Sequence, residues 1–181
     1  STPIRTGMQG FTMLPIPGHE GKNVVTGQDI LRGTVRAGKN VVILDEDGGI
    51  EPLGVAEILA AEGRNVEVLT RSTFVGTDLV APLTLPHVYT RVMRLGVKMT
   101  PNTFIKEISG NTVVTYNIYT EEERRIKGVD TAVLITGKEA NDKLYRQLKG
   151  KVKELYRAGD CVTPRKLDHA TYEGHKVGRM V

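Results

Sequence analysis

The fold is decided by residues 40–69, NVVILDEDGGIEPLGVAEILAAEGRNVEVL. Val41 to Leu44 form a short apolar run, which is typical of a strand buried on both faces. After a glycine-containing turn, Pro52 suits the first position of an apolar helix that ends at Gly63. Val66 to Leu69 predicts a second strand. Strand, helix and strand within about 30 residues make a βαβ unit with parallel neighbouring strands, so the sequence predicts an α/β protein.

Further elements of this fold are predicted downstream. We expect a helix over 84–95 leading into a strand at 97–99, because a proline lies near the helix start and a glycine follows its end. The pair Gly110-Asn111 between two β-rich runs predicts an antiparallel hairpin, and thus a β-meander inserted in a nucleotide-binding fold. We interpret the charged residues 121–127 as a solvated turn. Residues 132–135 predict another buried strand of the main sheet.

The two ends of the chain have a weaker pattern. Glycines and prolines interrupt every period in residues 1–35, so we expect a loop without a core of its own. A loop of this length indicates either that some elements are not recognised or that the chain is a piece of something larger, and we favour the second. A first residue of Ser supports a fragment or a processed chain. Towards the C-terminus we expect a polar helix near 141–148, a short strand at 155–160 and a helix over 167–180.

Composition excludes several classes of protein. With 181 residues and 39% hydrophobic content, the chain can form one globular domain or parts of two. A single Cys excludes a disulfide framework and a Cys-rich metal site, and it fits a reducing, cytoplasmic location. No apolar run is long enough for a membrane helix. The excess of 25 Lys and Arg over 21 Asp and Glu is mild and is not interleaved with aromatic residues, so we expect no nucleic-acid partner.

The first strand is not followed by a dinucleotide fingerprint. The motif Gly-x-Gly-x-x-Gly places bare backbone under a diphosphate, but the three positions here hold Asp45, Asp47 and Ile50. Two carboxylates at a helix N-terminus repel a diphosphate, and a β-branched residue holds helix and strand apart. Gly48 and Gly49 can still supply a turn in a shifted register, which leaves a nucleotide site open as an alternative.

Other candidate binding residues follow later strands. Arg71 comes just after the second strand, where NADP-binding proteins place an arginine against the 2′-phosphate, although a solvent-facing arginine is at least as common there. Asp160 of the pair Gly159-Asp160 can accept a hydrogen bond from a ribityl or ribose hydroxyl, with a helix N-terminus nearby for phosphate. Thr136-Gly137, some 20 residues earlier, makes this combination more specific. We find no nucleophile motif and no metal-ligand spacing, so we predict no catalytic residue and no metal site.

Several segments closely resemble one family of flavoenzymes, the trimethylamine dehydrogenase, 2,4-dienoyl-CoA reductase and N-methylproline demethylase group of NADH:flavin oxidoreductases. The matching residues are Pro15-Ile16-Pro17-Gly18, Val25-Thr26, Asp29-Ile30-Leu31, Val133-Leu134-Ile135-Thr136-Gly137-Lys138, Asn141, Leu144-Tyr145, Leu148, Gly159-Asp160, Pro164-Arg165, Ala170 and Gly174-His175. The resemblance covers nearly the whole chain.

This resemblance implies the domain organisation. Residues 36–135 are identified as a three-layer, Rossmann-like domain of the glutathione-reductase NAD(P)-binding type with an inserted antiparallel β-meander and a degenerate fingerprint. Residues 1–35 and 136–181 would be flanking pieces of the FAD- or ADP-binding domain that it interrupts. The resemblance also implies a preceding barrel with FMN and an iron-sulfur cluster, which this chain lacks together with the other half of the FAD domain.

The resemblance therefore implies that the chain is a C-terminal fragment of a multidomain flavin-dependent oxidoreductase of the amine dehydrogenase or demethylase type. We expect the fragment alone to be inactive and to bind no cofactor, with a structural role or a contact with an electron-transfer flavoprotein. The alternative is an active NADPH-binding module of a dienoyl-CoA reductase type, with Arg71 on the 2′-phosphate and Gly48-Gly49 under the pyrophosphate. A third hypothesis is a plain adenine-nucleotide module built on Gly159-Asp160.

Overall fold

The computed structural model describes residues 1–8 and 13–181. Residues 9–12, part of the predicted N-terminal loop, lie outside the described residues. The elements in chain order are β1 (Thr2–Pro3), β2 (Val24–Thr26), α1 (Gly27–Leu31), β3 (Asn40–Asp45), α2 (Ile50–Ala61), β4 (Asn65–Thr70), α3 (Leu85–Arg94), β5 (Lys98–Thr100), β6 (Thr103–Ser109), β7 (Thr112–Asn117), β8 (Glu123–Lys127), β9 (Thr131–Ile135), β10 (Lys138–Glu139), α4 (Lys143–Leu148) and α5 (Leu167–Gly178).

The chain is a mixed α/β protein that divides into two compact units. One unit contains Ile4–Gly137, and the other contains Ser1–Pro3 with Lys138–Val181. In the larger unit, a five-stranded parallel sheet has the order β2-β9-β3-β4-β5, and β6, β7 and β8 form a separate antiparallel sheet. In the smaller unit, β1 pairs with β10 in antiparallel fashion. Within the described ranges, every helix is too short or too polar to cross a lipid bilayer.

The alternation of side chains along β3 explains the two cores of the larger unit. Val41 and Ile43 pack in one cluster with the apolar side chains of α2 and α3. Val42 and Leu44 point to the opposite face and pack with residues of the antiparallel sheet. The prediction of a strand buried on both faces is confirmed, because all four apolar side chains are buried.

The predicted βαβ unit is also confirmed, since β3 and β4 are parallel neighbours joined through α2. The predicted hairpin at Gly110-Asn111 is present as β6 and β7. The interpretation of residues 121–127 as a turn was wrong, because Glu123–Lys127 is β8 and pairs with β7. The strand predicted at 155–160 was also wrong, since this segment is irregular until a single 3₁₀ turn at Gly159–Cys161.

Residues 1–35 are more ordered than a loop. β2 is an edge strand of the parallel sheet, and Val25 is buried in its core. The helix α1 begins with a capping box, in which the Thr26 hydroxyl accepts from the Asp29 amide and the Asp29 carboxylate accepts from the Thr26 amide. Arg5 forms a bidentate ion pair with the same carboxylate. These polar contacts fix elements too short to show a hydrophobic period.

Candidate functional site

The carboxyl ends of β3, β4 and β9 lie side by side at one edge of the parallel sheet. Asp45, the last residue of β3, is in register with Thr70 of β4 and Ile135 of β9. Gly48-Gly49 follow β3, Arg71 follows β4 and Thr136-Gly137 follow β9, so the fold brings these five predicted residues to one edge. In open parallel sheets, ligands bind outside this edge. It is therefore the candidate site of the larger unit.

Asp45 is fully buried, and its carboxylate binds the backbone of the loop that follows. Oδ1 accepts hydrogen bonds from the amides of Asp47, at 3.0 Å, and Gly48, at 2.7 Å. Oδ2 faces the Gly76 amide at 3.4 Å. Burial raises the pKa of Asp45, against the opposing effect of the bonds from Gly48 and Gly76. The side chain thus occupies amide donors that a phosphate group would need.

The two glycines of this loop make room for the protein's own atoms. Gly48 has a φ of +67°, and a Cβ there would lie 2.6 Å from Oγ1 of Thr77, in the segment that follows β4. The Gly48 carbonyl accepts from the Asp78 amide at 2.9 Å. A Cβ at Gly49 would lie 2.6 Å from Oδ2 of Asp47. The close approach that a fingerprint reserves for a pyrophosphate is made here by side chains of the chain itself.

The first turn of α2 carries negative rather than positive potential from side chains. Gly49 is the N-cap and, as a glycine, has no side chain to cap the first amides of the helix. Glu51 lies in the first turn, and Asp47 and Asp78 flank the loop. A helix N-terminus attracts anions through its free amides, but neighbouring carboxylates satisfy this preference and repel a further anion. The described residues of this loop therefore do not fit the diphosphate of a dinucleotide.

Arg71 is turned towards an internal carboxylate. Its guanidinium lies 3.4 Å from Oε2 of Glu46, whose side chain is only 4% exposed. Burial raises the pKa of Glu46, and the charge of Arg71 opposes this rise. Glu46 directly follows β3, and no motif in the sequence singles it out. This contact already uses part of the charge that a 2′-phosphate would need.

Thr136 and Gly137 connect β9 to the next unit of the chain. Thr136 is 8% exposed, and its buried Oγ1 has no hydrogen-bond partner among the residues that the structure describes. Gly137 has a φ of +144°, a conformation that L side chains rarely adopt, and its carbonyl accepts from the Ile4 amide at 3.0 Å. The glycine is therefore required by the backbone, whatever its role in binding.

Gly159 and Asp160 belong to the smaller unit. The Gly159 amide donates to Oε2 of Glu173 at 2.8 Å, a contact for which the sequence carries no motif. Asp160 accepts from the Ser1 hydroxyl at 2.7 Å, and this bond lowers the pKa of Asp160. The Asp160 side chain stays 45% exposed, while the glycine amide is already paired.

The fold and these residues define a mixed α/β domain whose glycine loop is closed by carboxylates. The chain belongs to the family described as OYE-like second alpha/beta domain, which matches residues 25–141.

The chain is similar to three described enzymes. Dimethylamine dehydrogenase from Hyphomicrobium sp. (strain x) is 27% identical over 203 residues, which cover 97% of this chain and 27% of that enzyme. Among solved structures, 6-hydroxypseudooxynicotine amine oxidase from Pseudomonas geniculata N1 superposes with a TM-score of 0.92 at 29% identity, covering 98% of this chain and 27% of its own. Histamine dehydrogenase from Rhizobium sp. 4-9 also superposes with a TM-score of 0.92, at 26% identity, and the match covers 100% of this chain and 29% of that enzyme's chain. The chain thus spans less than a third of the length of these relatives.

Proposed function

We propose that this chain is the C-terminal part of a multidomain flavin-dependent oxidoreductase that acts on amines. The support is that dimethylamine dehydrogenase and two amine-oxidising enzymes of known structure resemble the chain over nearly its full length. The parent enzyme would hold FMN and an iron-sulfur cluster in a preceding barrel, where the substrate reacts. The single cysteine of this chain fits a reducing compartment, and we propose a cytoplasmic location for the parent enzyme.

In this proposal, residues 36–135 are a Rossmann-like domain derived from the NAD(P)-binding domain of glutathione-reductase-type enzymes. Residues 1–35 and 136–181 are then pieces of the FAD- or ADP-binding domain that it interrupts. Asp160 would bind a ribose or ribityl hydroxyl of that nucleotide. Leu167 and Tyr172 on α5 are exposed, which is the pattern of a helix that packs against the remaining half of its domain.

The observation that carries the functional proposal is the position of the Asp45 carboxylate on the amides of Asp47 and Gly48. A coenzyme diphosphate would have to displace this carboxylate and enter a ring of acidic side chains. The domain would therefore have lost NAD(P)H binding and would serve a structural role or contact an electron-transfer flavoprotein. Electrons would leave the parent enzyme through that partner rather than enter from NADPH.

Calorimetric titration of the 181-residue chain with NADH and NADPH tests this proposal. We expect dissociation constants weaker than millimolar for both coenzymes. Micromolar affinity for either one would contradict it. If NADPH binds and Arg71→Ala weakens NADPH but not NADH, the reductase alternative replaces the proposal, because the arginine would then contact the 2′-phosphate.

ADP provides a separate measurement for the smaller unit. If ADP binds and Asp160→Ala abolishes that binding, the adenine-nucleotide hypothesis holds for this chain on its own. We expect no binding, because the Gly159 amide is paired with Glu173.

A further inference from the structure

A groove of about 790 Å³ lies at the edge of the parallel sheet where β3 and β4 begin, opposite to the edge that carries Asp45. Its walls come from α1, from the C-terminal end of α2 and from the loops that precede the two strands. We call it the basic groove. It lies entirely within the larger unit and is distinct from the candidate site described above.

The floor of the basic groove is apolar and open to solvent. Ile30 and Leu59 connect it to the hydrophobic core beneath. Val35 is 37% exposed and Ile58 is 44% exposed, and both line the groove. A partner that covers exposed apolar side chains in a shared depression is bound more tightly, because burial stabilises the complex by about 25 cal/mol for each Å² of apolar surface.

The rim of the basic groove is positively charged. Residues 30–40, ILRGTVRAGKN, contain three cationic side chains and no acidic one. Arg36 and Lys39 of this segment line the groove together with Arg64. The acidic side chain in the lining, Glu62, is paired with Arg64.

Part of this positive charge is not used by the fold. Lys39 donates to the Gly63 carbonyl, and Nε of Arg64 donates to the Ala37 carbonyl at 3.1 Å, so these two cations bind backbone near the end of α2. The exposed Arg36 side chain has no ion pair or hydrogen bond among the described residues. An occupant that brings carboxylates to this rim would gain charge-assisted hydrogen bonds.

We propose that the basic groove docks an acidic amphipathic helix of a partner protein. Apolar side chains spaced by three and four residues would cover Val35 and Ile58, and flanking carboxylates would bind Arg36 and Lys39. Small-molecule sites bury most of their ligand, whereas Val35 and Ile58 in this floor are each over a third exposed. Strand addition is disfavoured because β3 is already paired on both sides, with β4 and β9. The inference does not depend on the proposed enzyme function.

A synthetic helical peptide tests this proposal. The probe is a fluorescein-labelled amphipathic peptide with Leu on one face and Glu on its flanks, and its anisotropy is measured with the 181-residue chain. We expect saturable binding that weakens with salt and weakens at least about tenfold in Arg36→Glu/Lys39→Glu. Ile58→Ser should weaken binding as well. Lys22→Glu makes the same charge change as either single substitution, at an exposed lysine of the same unit, and should leave the affinity unchanged.

Several outcomes would overturn the proposal. Absence of binding would do so, as would equal binding of a peptide with Lys in place of Glu, or equal loss in the Lys22→Glu control. If dodecanoate displaces the peptide and binds more tightly, the occupant is a small amphipathic acid. If the chain self-associates in sedimentation and Arg36→Glu/Lys39→Glu abolishes this, the occupant is a second copy. Circular dichroism of each variant excludes loss of fold as the cause.

Discussion

Gly48 carries two constraints that can be measured separately. Its φ of +67° is unfavourable for any side chain, and an added Cβ would meet Thr77 Oγ1 at 2.6 Å. We expect Gly48→Ala to lower the free energy of unfolding by about 2–3 kcal/mol, through backbone strain and steric overlap together. Gly63 is the matched control, because its φ is +80° but, in the described part of the chain, no atom beyond its two chain neighbours lies within 4 Å of an added Cβ.

Gly63→Ala should therefore lower the free energy of unfolding through backbone strain alone, by about 1 kcal/mol. Urea denaturation of both variants gives the comparison. Equal losses in the two variants would contradict the close packing of the glycine loop against the segment after β4.

The same residues show how far a sequence can predict this site. The missing glycines of the fingerprint are visible in the sequence, and they predict a loop unsuited to a diphosphate. The sequence does not show that Asp45 turns inward to bind two amides. Nor does it show that Gly76 and Thr77, about 30 residues later, close over the loop, because these contacts depend on the packing of the chain after β4.

Elements with a strong hydrophobic pattern were predicted well, and elements held by polar contacts were not. β3, α2, β4 and β9 bury apolar runs, so their periodicity identifies them. β8 is almost fully exposed and contains four charged residues in five. Its strand conformation comes from backbone pairing with β7 and from ion pairs such as Arg124 with Glu67, which no periodicity reveals.

Glu67 joins three strands and gives a pH-dependent prediction. Its carboxylate accepts hydrogen bonds from Arg124 of β8 and from Thr100 of β5, and Lys98 lies 3.1 Å away. Burial tends to raise the pKa of Glu67, but these bonds outweigh burial and hold it at about 2, below the ordinary value of 4.5. Folding thus favours the ionised form, so the stabilisation is complete above pH 4.5 and is lost as the pH falls towards 2.

We expect Glu67→Gln to lower the free energy of unfolding by about 2 kcal/mol at neutral pH, because it removes the charge from a buried, hydrogen-bonded site. The difference from the parent chain should shrink as the pH falls through this window. Glu123→Gln, which removes the exposed partner of Lys106, should change stability little at any pH. A pH-independent loss in Glu67→Gln would show that packing rather than charge is responsible.

At the scale of the whole molecule, the two units differ in what stabilises them. The larger unit contains both hydrophobic clusters. In the smaller unit every described side chain is exposed or half-buried, and its contacts are mainly ion pairs such as Arg165 with Glu173 and Arg157 with Asp142. Exposed ion pairs contribute about 0–1 kcal/mol each, far less than a buried apolar core.

Hydrogen exchange should therefore separate the two units within the 181-residue chain. Amides of β3, β4 and β9 should exchange only through global unfolding, while those of α4 and α5 should exchange by local opening, at least about a hundredfold faster. Mass spectrometry of peptides from both units measures this directly, and Glu67→Gln offers an internal check, because it should accelerate exchange in the sheet but not in α5. Equal protection of α5 and β3 would contradict the assignment of stability to the two hydrophobic clusters. Protection of α5 that appears only when the missing half of its domain is supplied would support the proposed place of this unit in a larger flavoenzyme.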